Sequence, residues 1–483
     1  MSISIENHRV DHRHFIGGER VDSPRSFLDI SPIDESPLGE VAAADAAMVD
    51  RAVAAAQQAF PQWKNLTAEK RAGHLLRVAE LIEGRIETLA QVETADNGSL
   101  LRSHRRGVMP RVAHNFRYFA EELMRLHHDD FITRDHVNKV SWEGSGVAGI
   151  ITPWNAPLML GSWRIAPALA AGCTVVFKPP EWAPLTASLL ADVFAEANVP
   201  AGVFNVVQGI GSEAGAALAA HRGLRRMAFT GSVATARSIA VAAGQNLVPL
   251  SFELGGKSPF IVFADADLDR AVELAVGQYD NAGQVCLAGT RILVEQSIRA
   301  EFLENFVKRA RTLRQGDPRD EAIDLGPQIS RVHFDRVKGF VERAKESGLV
   351  CPLGGNPNQE LGGLYFSPTL FLDPPASSEI WQSEVFGPVL TLSSFSSEAE
   401  AIALANDTDY GLAAVIITSD RSRAERVSQA IPAGIIWNNC FFVRDLRQPF
   451  GGNGLSGIGR EGGHWSFDFY ADLKCRVFAP DLA

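Results

Sequence analysis

The sequence predicts an α/β protein with a doubly wound parallel sheet. Across residues 147–208, short apolar runs alternate with helix-like stretches, which is the pattern of βαβ units. A second strand–helix series begins after Pro259. The chain has 483 residues, whereas a single hydrophobic core stops growing at roughly 250–300 residues. We therefore expect at least two domains.

Two surface-packed helices are predicted in the N-terminal part of the chain. Residues 46–63 are rich in alanine, which favours helix formation, and apolar residues across 75–89 recur every three or four positions. The first strand–helix series follows, with predicted strands VAGII at 147–151, TVVFK at 174–178, VFNVVQ at 203–208 and MAF at 227–229. Sheets of this kind bind nucleotides beyond the carboxyl ends of their strands.

The second series contains the predicted strands FIVF at 260–263 and RILVEQ at 291–296, each followed by a helical pattern. Two further segments, 131–142 and 474–478, fit neither series. Polar, alternating strands that belong to neither core often mediate contacts between subunits. We therefore expect these two segments to form an oligomerisation element.

Composition and charge exclude several classes of partner. The chain has 46 Lys and Arg against 57 Asp and Glu, for a net charge of -11. A surface that is negative on average repels phosphate backbones and anionic lipids, so neither nucleic acid nor a membrane is an expected partner. The start of the chain lacks an apolar signal segment, and we predict a cytoplasmic protein. The five cysteines are widely spaced and lack a CxxC pair, which predicts free thiols and no metal site.

Three polar residues could carry chemistry. Cys286 lies in the glycine-flanked segment NAGQVCLAG and is either a nucleophilic thiolate or a small buried apolar residue. Glu253 lies at the end of an apolar strand, before a glycine pair. It is either a paired structural ion or a general base with a raised pKa. Asn155, in TPWNAP, could direct its amide at an oxyanion or could simply form a turn between prolines.

A nucleotide site is predicted after the strand at 174–178. Lys178 and Glu181 lie in KPPE, where the sugar of a dinucleotide would meet the sheet edge. A carboxylate there would accept from both ribose hydroxyls and repel a 2′-phosphate, which favours NAD. The glycine-rich segment at 209–215 is not the dinucleotide fingerprint, since it has one residue too many between its last two glycines.

Seven motifs in one order make the whole chain resemble the NAD(P)-dependent aldehyde dehydrogenase superfamily. They are PWN at 153–155, KPPE at 178–181, FTGS at 229–232, ELGGK at 253–257, GQVC at 283–286, EVFGP at 384–388 and PFGG at 449–452.

The resemblance implies a fold in three parts. A five-stranded cofactor domain would comprise residues 1–130 and 143–252, and an α/β catalytic domain would comprise 253–452. A small β oligomerisation element with a C-terminal arm would comprise 131–142 and 453–483. Members of the superfamily are usually homodimers or homotetramers, so we expect one of these.

The resemblance also implies residue roles. Cys286 would attack the aldehyde, and the Asn155 side chain and the Cys286 backbone N–H would hold the oxyanion. Glu253 would then activate the water that hydrolyses the thioester. The implied cofactor contacts are Thr152, Pro153, Trp154, Lys178, Glu181, Gly211, Phe229, Gly231, Ser232, Leu254, Glu384 and Phe386. The implied cofactor is NAD.

Two arginine-bearing segments indicate the substrate. PRVAHNF at 110–116 and VRDLRQP at 443–449 resemble the branch that acts on hydroxymuconic and carboxymethyl-hydroxymuconic semialdehydes. In that branch, residues matching Arg111 and Arg444 hold the substrate carboxylate, so we expect a carboxylate-bearing semialdehyde from aromatic-compound degradation. Alternatively, Arg444 or Arg447 pairs with Asp445 or another exposed acid.

Three other functions stay open at this point. The main alternative is a broad-specificity enzyme acting on simple aromatic and aliphatic aldehydes. A catalytically inactive structural relative would tend to lose the nucleophile, whereas Cys286, Glu253 and Asn155 are all present. A CoA-acylating enzyme would generally lack the glutamate at the position of Glu253.

Overall fold

The computed structural model describes residues 2–126 and 129–482. Over these residues the chain forms sixteen α-helices. In chain order they are α1 (Ala46–Lys64), α2 (Ala68–Glu83), α3 (Ile86–Asn97), α4 (Leu101–Ser103), α5 (Met109–Leu123), α6 (Pro157–Ala170), α7 (Leu185–Glu196), α8 (Ala216–Ala219), α9 (Val233–Gly244), α10 (Leu268–Val276), α11 (Arg299–Ala310), α12 (Arg331–Glu346), α13 (Glu379–Gln382), α14 (Glu398–Asn406), α15 (Arg421–Ala430) and α16 (Gly463–Tyr470).

The same residues form twenty-four β-strands. They are β1 (Ser2–Ile5), β2 (His8–Asp11), β3 (His14–Ile16), β4 (Glu19–Val21), β5 (Ser26–Ile30), β6 (Pro37–Ala42), β7 (Asp130–Thr133), β8 (His136–Gly144), β9 (Val147–Ile151), β10 (Thr174–Lys178), β11 (Phe204–Val206), β12 (Leu224–Thr230), β13 (Leu250–Glu253), β14 (Pro259–Val262), β15 (Arg291–Glu295), β16 (Val350–Leu353), β17 (Thr369–Leu372), β18 (Val389–Phe395), β19 (Tyr410–Gly411), β20 (Ala413–Ile417), β21 (Ile435–Asn438), β22 (Asn453–Gly454), β23 (Gly457–Ile458) and β24 (Ala471–Phe478).

Residues 46–97 form three long helices rather than the two predicted, so that prediction is wrong. The apolar repeat across residues 75–89 runs over two helices, because α2 ends at Glu83 and α3 begins at Ile86. Arg85 leaves the helical region of the backbone, with φ -123° and ψ 15°. The apolar spacing continues through this short break, so periodicity alone does not reveal it.

The cofactor sheet has eight strands, in the order β23-β13-β12-β9-β10-β11-β3-β4. Its five central strands, β13 to β11 in that order, are parallel. Every residue of β9 and β10 is buried, as expected for strands covered by helices on both faces. The expected five-stranded sheet is therefore extended at both edges by antiparallel strands that the sequence analysis did not predict.

A second sheet of seven strands has the order β16-β17-β18-β15-β14-β20-β21 and is parallel except for β16. A third sheet, β24-β8-β7, is antiparallel and contains both segments that fitted neither strand–helix series. The α/β fold class with parallel, helix-covered sheets is thus confirmed. In the described part of the chain, no helix has the length and apolar character needed to cross a membrane.

Candidate active site

A cavity of about 440 Å³ lies where the two large sheets meet. Four of its lining residues, Ile151, Lys178, Thr230 and Glu253, are the last residues of β9, β10, β12 and β13. The cavity therefore lies at the carboxyl ends of the parallel strands, where open α/β sheets bind their ligands. The second sheet contributes residues from the loops before β15 and β18 and after β21.

The structure brings almost all of the predicted site residues to this cavity. Those on its wall are Thr152, Pro153, Trp154, Asn155, Lys178, Glu181, Gly211, Phe229, Gly231, Ser232, Glu253, Leu254, Cys286, Glu384, Phe386 and Arg444. Arg111 is the exception, since it lies behind the wall. Its guanidinium carbon is 5.6 Å from the ring centroid of Trp163, which does line the cavity.

The loop that carries Cys286 has a strained backbone. Asn281, Ala282 and Gly283 are consecutive residues with φ of 51°, 54° and 75°. A Cβ atom at Gly283 would lie 2.0 Å from the carbonyl oxygen of Gly387, so only glycine fits there. Strained backbone of this kind clusters at functional sites, where the surrounding structure maintains it. Here it turns the chain so that Cys286 reaches the cavity.

Cys286 is partly exposed on the cavity wall, in contrast to a small apolar residue enclosed in a core. Burial and the neighbouring Glu384 raise the pKa of its thiol to about 12, and Arg444 acts in the opposite direction. Asn155 Nδ2 donates to the carbonyl of Gln284 at 3.0 Å, which holds the amide against the cysteine loop. The site therefore places an amide donor and a thiol together, as oxyanion chemistry requires.

Glu253 is a buried carboxyl that forms no ion pair within residues 2–126 and 129–482. Its side chain is 5% exposed, and neither carboxylate oxygen accepts a hydrogen bond from a described residue. Burial, followed by the charge of Glu461, raises its pKa well above the usual range. A buried carboxyl with a raised pKa and no ion-pair partner among the described residues has the environment of a general base rather than of a structural ion.

One end of the cavity suits a dinucleotide. Lys178 Nζ lies 2.8 Å from Glu181 Oε2, and the backbone N–H of Gly211 donates to Glu181 Oε1 at 3.1 Å. Ser232 caps the N-terminus of α9, where backbone N–H groups and the helix dipole favour a phosphate. The carboxylate of Glu181 and the ammonium of Lys178 could bind a ribose, and the N-terminus of α9 could bind a pyrophosphate. Together these groups fit NAD.

A second part of the cavity wall is formed by Glu384 and aromatic rings. The backbone N–H of Gly256 donates to Glu384 Oε1 at 3.0 Å, and burial raises the pKa of this carboxyl to about 7. A Cβ at Gly255 would lie 2.1 Å from Glu384 Oε2, which explains the glycine there. The Phe386 ring meets Trp154 edge-on at 5.3 Å between centroids. This part of the wall therefore combines a carboxyl group with apolar rings.

The two arginines predicted to hold a carboxylate lie against the same aromatic rings. The guanidinium carbon of Arg444 is 4.1 Å from the centroid of Phe450 and 4.8 Å from that of Trp163, which Arg111 also contacts. Neither guanidinium has a hydrogen-bond or ion-pair partner among the residues that the structure describes. Asp445 instead pairs with Arg447, at 2.7 Å. The alternative in which Arg444 pairs with Asp445 is therefore wrong, because Arg447 forms that ion pair.

The cavity wall also contains residues that were not among the predicted site residues, and four of them are Trp163, Arg164, Phe450 and Glu461. Phe450 lies inside the PFGG motif, and Trp163 and Arg164 follow PWN on α6, so a sequence signal existed for these three. Nothing local indicates Glu461. It reaches the cavity through an antiparallel bridge to Phe450, and Arg164 pairs with it at 2.9 Å.

Comparisons with known proteins place this geometry in a family. The family model described as "Aldehyde dehydrogenase family" matches residues 20–475. The chain belongs to the aldehyde dehydrogenase family. This membership confirms the expected fold class and the expected oxidoreductase activity on aldehydes.

Curated relatives within the family differ in their named substrates. The chain is 40% identical over 461 residues to 5-carboxymethyl-2-hydroxymuconate semialdehyde dehydrogenase of Escherichia coli, covering 94% of this chain and 98% of that one. It is 41% identical over 474 residues to betaine aldehyde dehydrogenase 1 of Oryza sativa subsp. japonica, covering 95% and 94%. The resemblance to the semialdehyde branch is thus confirmed. The chain is equally similar to a relative named for betaine aldehyde, which is a cationic aldehyde.

Solved structures of aldehyde dehydrogenases have the same fold. One is a cysteine-to-alanine mutant of the indole-3-acetaldehyde dehydrogenase of P. syringae, in complex with NAD+ and IAA. It superposes with a TM-score of 0.96 at 38% identity and covers 98% of both chains.

Proposed function

We propose that this aldehyde dehydrogenase oxidises a carboxylate-bearing semialdehyde, of the kind produced in aromatic-compound degradation, to the corresponding acid with NAD. The observation that carries the proposal is the pair of guanidiniums, Arg111 and Arg444, which lack an anionic partner within residues 2–126 and 129–482. Both are partly buried: Arg444 lines the cavity, and Arg111 lies behind its wall against the Trp163 ring. Partly buried cations without partners indicate that the ligand supplies the anion.

The charge of this region favours anionic over cationic aldehydes. A guanidinium binds a carboxylate through two parallel hydrogen bonds, which also fixes the direction of the substrate chain. Burial and the charge of Arg111 lower the pKa of Arg444 to about 10, so Arg444 stays positive at neutral pH. A quaternary ammonium would meet two positive charges here. This repulsion argues against betaine aldehyde as the substrate. Aromatic rings without the arginines could bind its quaternary ammonium group.

The chemistry begins at Cys286. Its thiolate attacks the aldehyde carbon, and the resulting oxyanion accepts hydrogen bonds from the Asn155 amide and the Cys286 backbone N–H. Removing one preorganised donor of this kind typically costs about 3–4 kcal/mol of transition-state stabilisation. NAD, which Lys178, Glu181 and Ser232 would hold, would supply the acceptor for the hydride of the thiohemiacetal carbon. Loss of that hydride turns the adduct into a thioester on Cys286.

Glu253 completes the cycle. Its carboxylate takes a proton from a water molecule as that water attacks the thioester carbon, and the Cys286 thiolate leaves with the electron pair of the C–S bond. The raised pKa of Glu253 supports this role, because a base must be strong enough to accept the proton near neutral pH. The product is a carboxylic acid, and this glutamate argues for hydrolysis over acyl transfer to CoA.

The arginine pair can be tested through selectivity. Arg111→Met or Arg444→Met should lower the ratio of kcat/KM for 6-oxohexanoate to kcat/KM for its methyl ester by roughly tenfold to a hundredfold, the value of a charge-assisted hydrogen bond. The ratio is used because any effect on Cys286 common to both substrates cancels. Arg447→Met, in the same loop but paired with Asp445, is the matched control and should leave the ratio unchanged. Equal ratios in all variants would remove the arginines from substrate recognition.

Glu181 should set the choice between cofactors. Its carboxylate lies where the adenosine ribose would bind, so it favours the two hydroxyls of NAD and repels the 2′-phosphate of NADP. We expect a wild-type preference for NAD in kcat/KM and a loss of that preference in Glu181→Gln. Equal use of both cofactors by the wild type would contradict this assignment.

The β24-β8-β7 sheet is proposed to mediate a homodimer or homotetramer. One edge of β24 is unpaired in the described part of the chain, and Leu473 and Val477 on it are 59% and 60% exposed. Such an edge readily pairs with another chain. Light scattering should give a mass of at least two chains. The double variant Leu473→Glu, Val477→Glu should be lighter, whereas Val332→Glu on α12 should not. The cytoplasmic location stays a prediction from the sequence.

A further inference from the structure

Arg444 differs from the other cations on the cavity wall. In the described part of the chain, each of the others has acceptors: Lys178 pairs with Glu181, Arg164 pairs with Glu461, and Arg336 donates to two backbone carbonyls. Arg444 has stacking contacts only, with Phe450, Trp163 and Phe442. Its positive charge is therefore available to the cavity.

The position of Arg444 does not depend on a ligand. Its guanidinium lies against two buried rings, Phe450 and Trp163. The loop that bears it is fixed by a hydrogen bond from Trp437 Nε1 to the carbonyl of Val443, at 2.9 Å. A charge held in this way acts on its neighbours in the free enzyme as well as in the complex.

Cys286 lines the same cavity as Arg444, which is the one lysine or arginine on its described wall without a hydrogen-bond acceptor or ion-pair partner. Burial raises the pKa of the thiol, and the carboxyls of Glu384 and Glu253 raise it further. The charge of Arg444 acts in the opposite direction and lowers the pKa of the thiol. The nucleophile is the thiolate, and cysteines become nucleophilic beside a positive charge.

We propose that Arg444 is a positioning residue for catalysis as well as a substrate anchor, because its fixed charge favours the thiolate of Cys286. The thiol proton passes to solvent through the open cavity. The inference rests on the proposed role of Cys286 as nucleophile. The rate of thiol alkylation nevertheless reports ionisation whether or not an aldehyde is turned over, so the two proposals can fail separately.

The test is the rate at which iodoacetamide alkylates Cys286 in the cofactor-free enzyme between pH 6 and 10, followed by peptide mass spectrometry. Iodoacetamide is neutral, so Arg444 does not attract the reagent. The variants are Arg444→Gln, Arg444→Met and Arg444→Lys, with Arg447→Gln as the matched control. Fully buried Cys173 is the internal reference, because it reacts only if the variant unfolds, and added glutathione corrects for reagent activity.

At pH 8 we expect Arg444→Gln and Arg444→Met to slow alkylation of Cys286 by about tenfold, which corresponds to a rise of one pKa unit in a thiol that ionises above the working pH. Arg444→Lys should retain most of the wild-type rate, and Arg447→Gln should match the wild type. Unchanged Cys286 rates in both neutral variants, with Cys173 still protected, would overturn the proposal. A loss in Arg444→Lys as large as in Arg444→Gln would overturn it too, since shape rather than charge would then be responsible.

Discussion

Replacing Cys286 with alanine should reduce NADH formation by roughly a thousandfold or more, because removal of a covalent nucleophile leaves no path to the hydride-donating adduct. The contacts predicted for the dinucleotide, Lys178, Glu181 and Ser232, lie on other elements of the cavity. The affinity for NAD should therefore stay within about threefold of the wild type, a change of well under 1 kcal/mol. Steady-state absorbance and calorimetric titration with NAD measure the two quantities.

Cys440 provides the matched control for this experiment. It is another partly buried cysteine, on the loop after β21, but it does not line the cavity. Cys440→Ala should retain near-wild-type turnover. If Cys286→Ala instead turns over at a rate close to that of the wild type, another group is the nucleophile and the mechanism given above is wrong.

Replacing Glu253 with glutamine should separate the two halves of the reaction. Formation of the thioester does not need this carboxylate, so we expect one NADH per active site in a rapid burst. The steady-state rate should then be lower by roughly 10²–10⁴-fold, the usual contribution of a general base. Stopped-flow absorbance measures the burst, and intact-mass spectrometry measures the acyl-enzyme.

The control is Glu379→Gln, an exposed carboxylate that pairs with Arg343 and does not line the cavity. This variant should show wild-type steady-state kinetics and accumulate no acyl-enzyme. Normal turnover of Glu253→Gln without an accumulated thioester would assign the base to a different residue. A missing burst would instead mean that the carboxyl acts before hydride transfer.

Much of the fold could be predicted because its strands have strong local signals. β9 and β10 are continuous apolar runs, and both are fully buried as parallel strands should be. The added edge strands had no such signal. β23 is a two-residue strand at 457–458 that exists only because it pairs with β13, more than 200 residues earlier. Pairing over that separation is a tertiary effect that local patterns do not contain.

The candidate site also contains some residues that local motifs predict and others that only tertiary contacts place there. Asn155, Glu253 and Cys286 lie in compact motifs next to strand ends or tight turns, and the structure brings all three to one cavity. Glu461 had no motif, since its place depends on a bridge to Phe450 and an ion pair with Arg164. The arginine pair is intermediate. The sequence indicated both arginines. Only the structure shows that Asp445 pairs with Arg447 and not with Arg444.

The measurement that tests the central claim most directly compares three aldehydes with the wild-type enzyme at saturating NAD: 6-oxohexanoate, its methyl ester and betaine aldehyde. The first two share their chain and oxygens and differ in charge, and the third is cationic. With Arg111 and Arg444 unpaired at the substrate end, kcat/KM should be highest for 6-oxohexanoate, at least about tenfold lower for the ester and lowest for betaine aldehyde. An ester or betaine aldehyde oxidised as efficiently as 6-oxohexanoate would contradict the carboxylate assignment, leaving an aldehyde dehydrogenase of broad specificity.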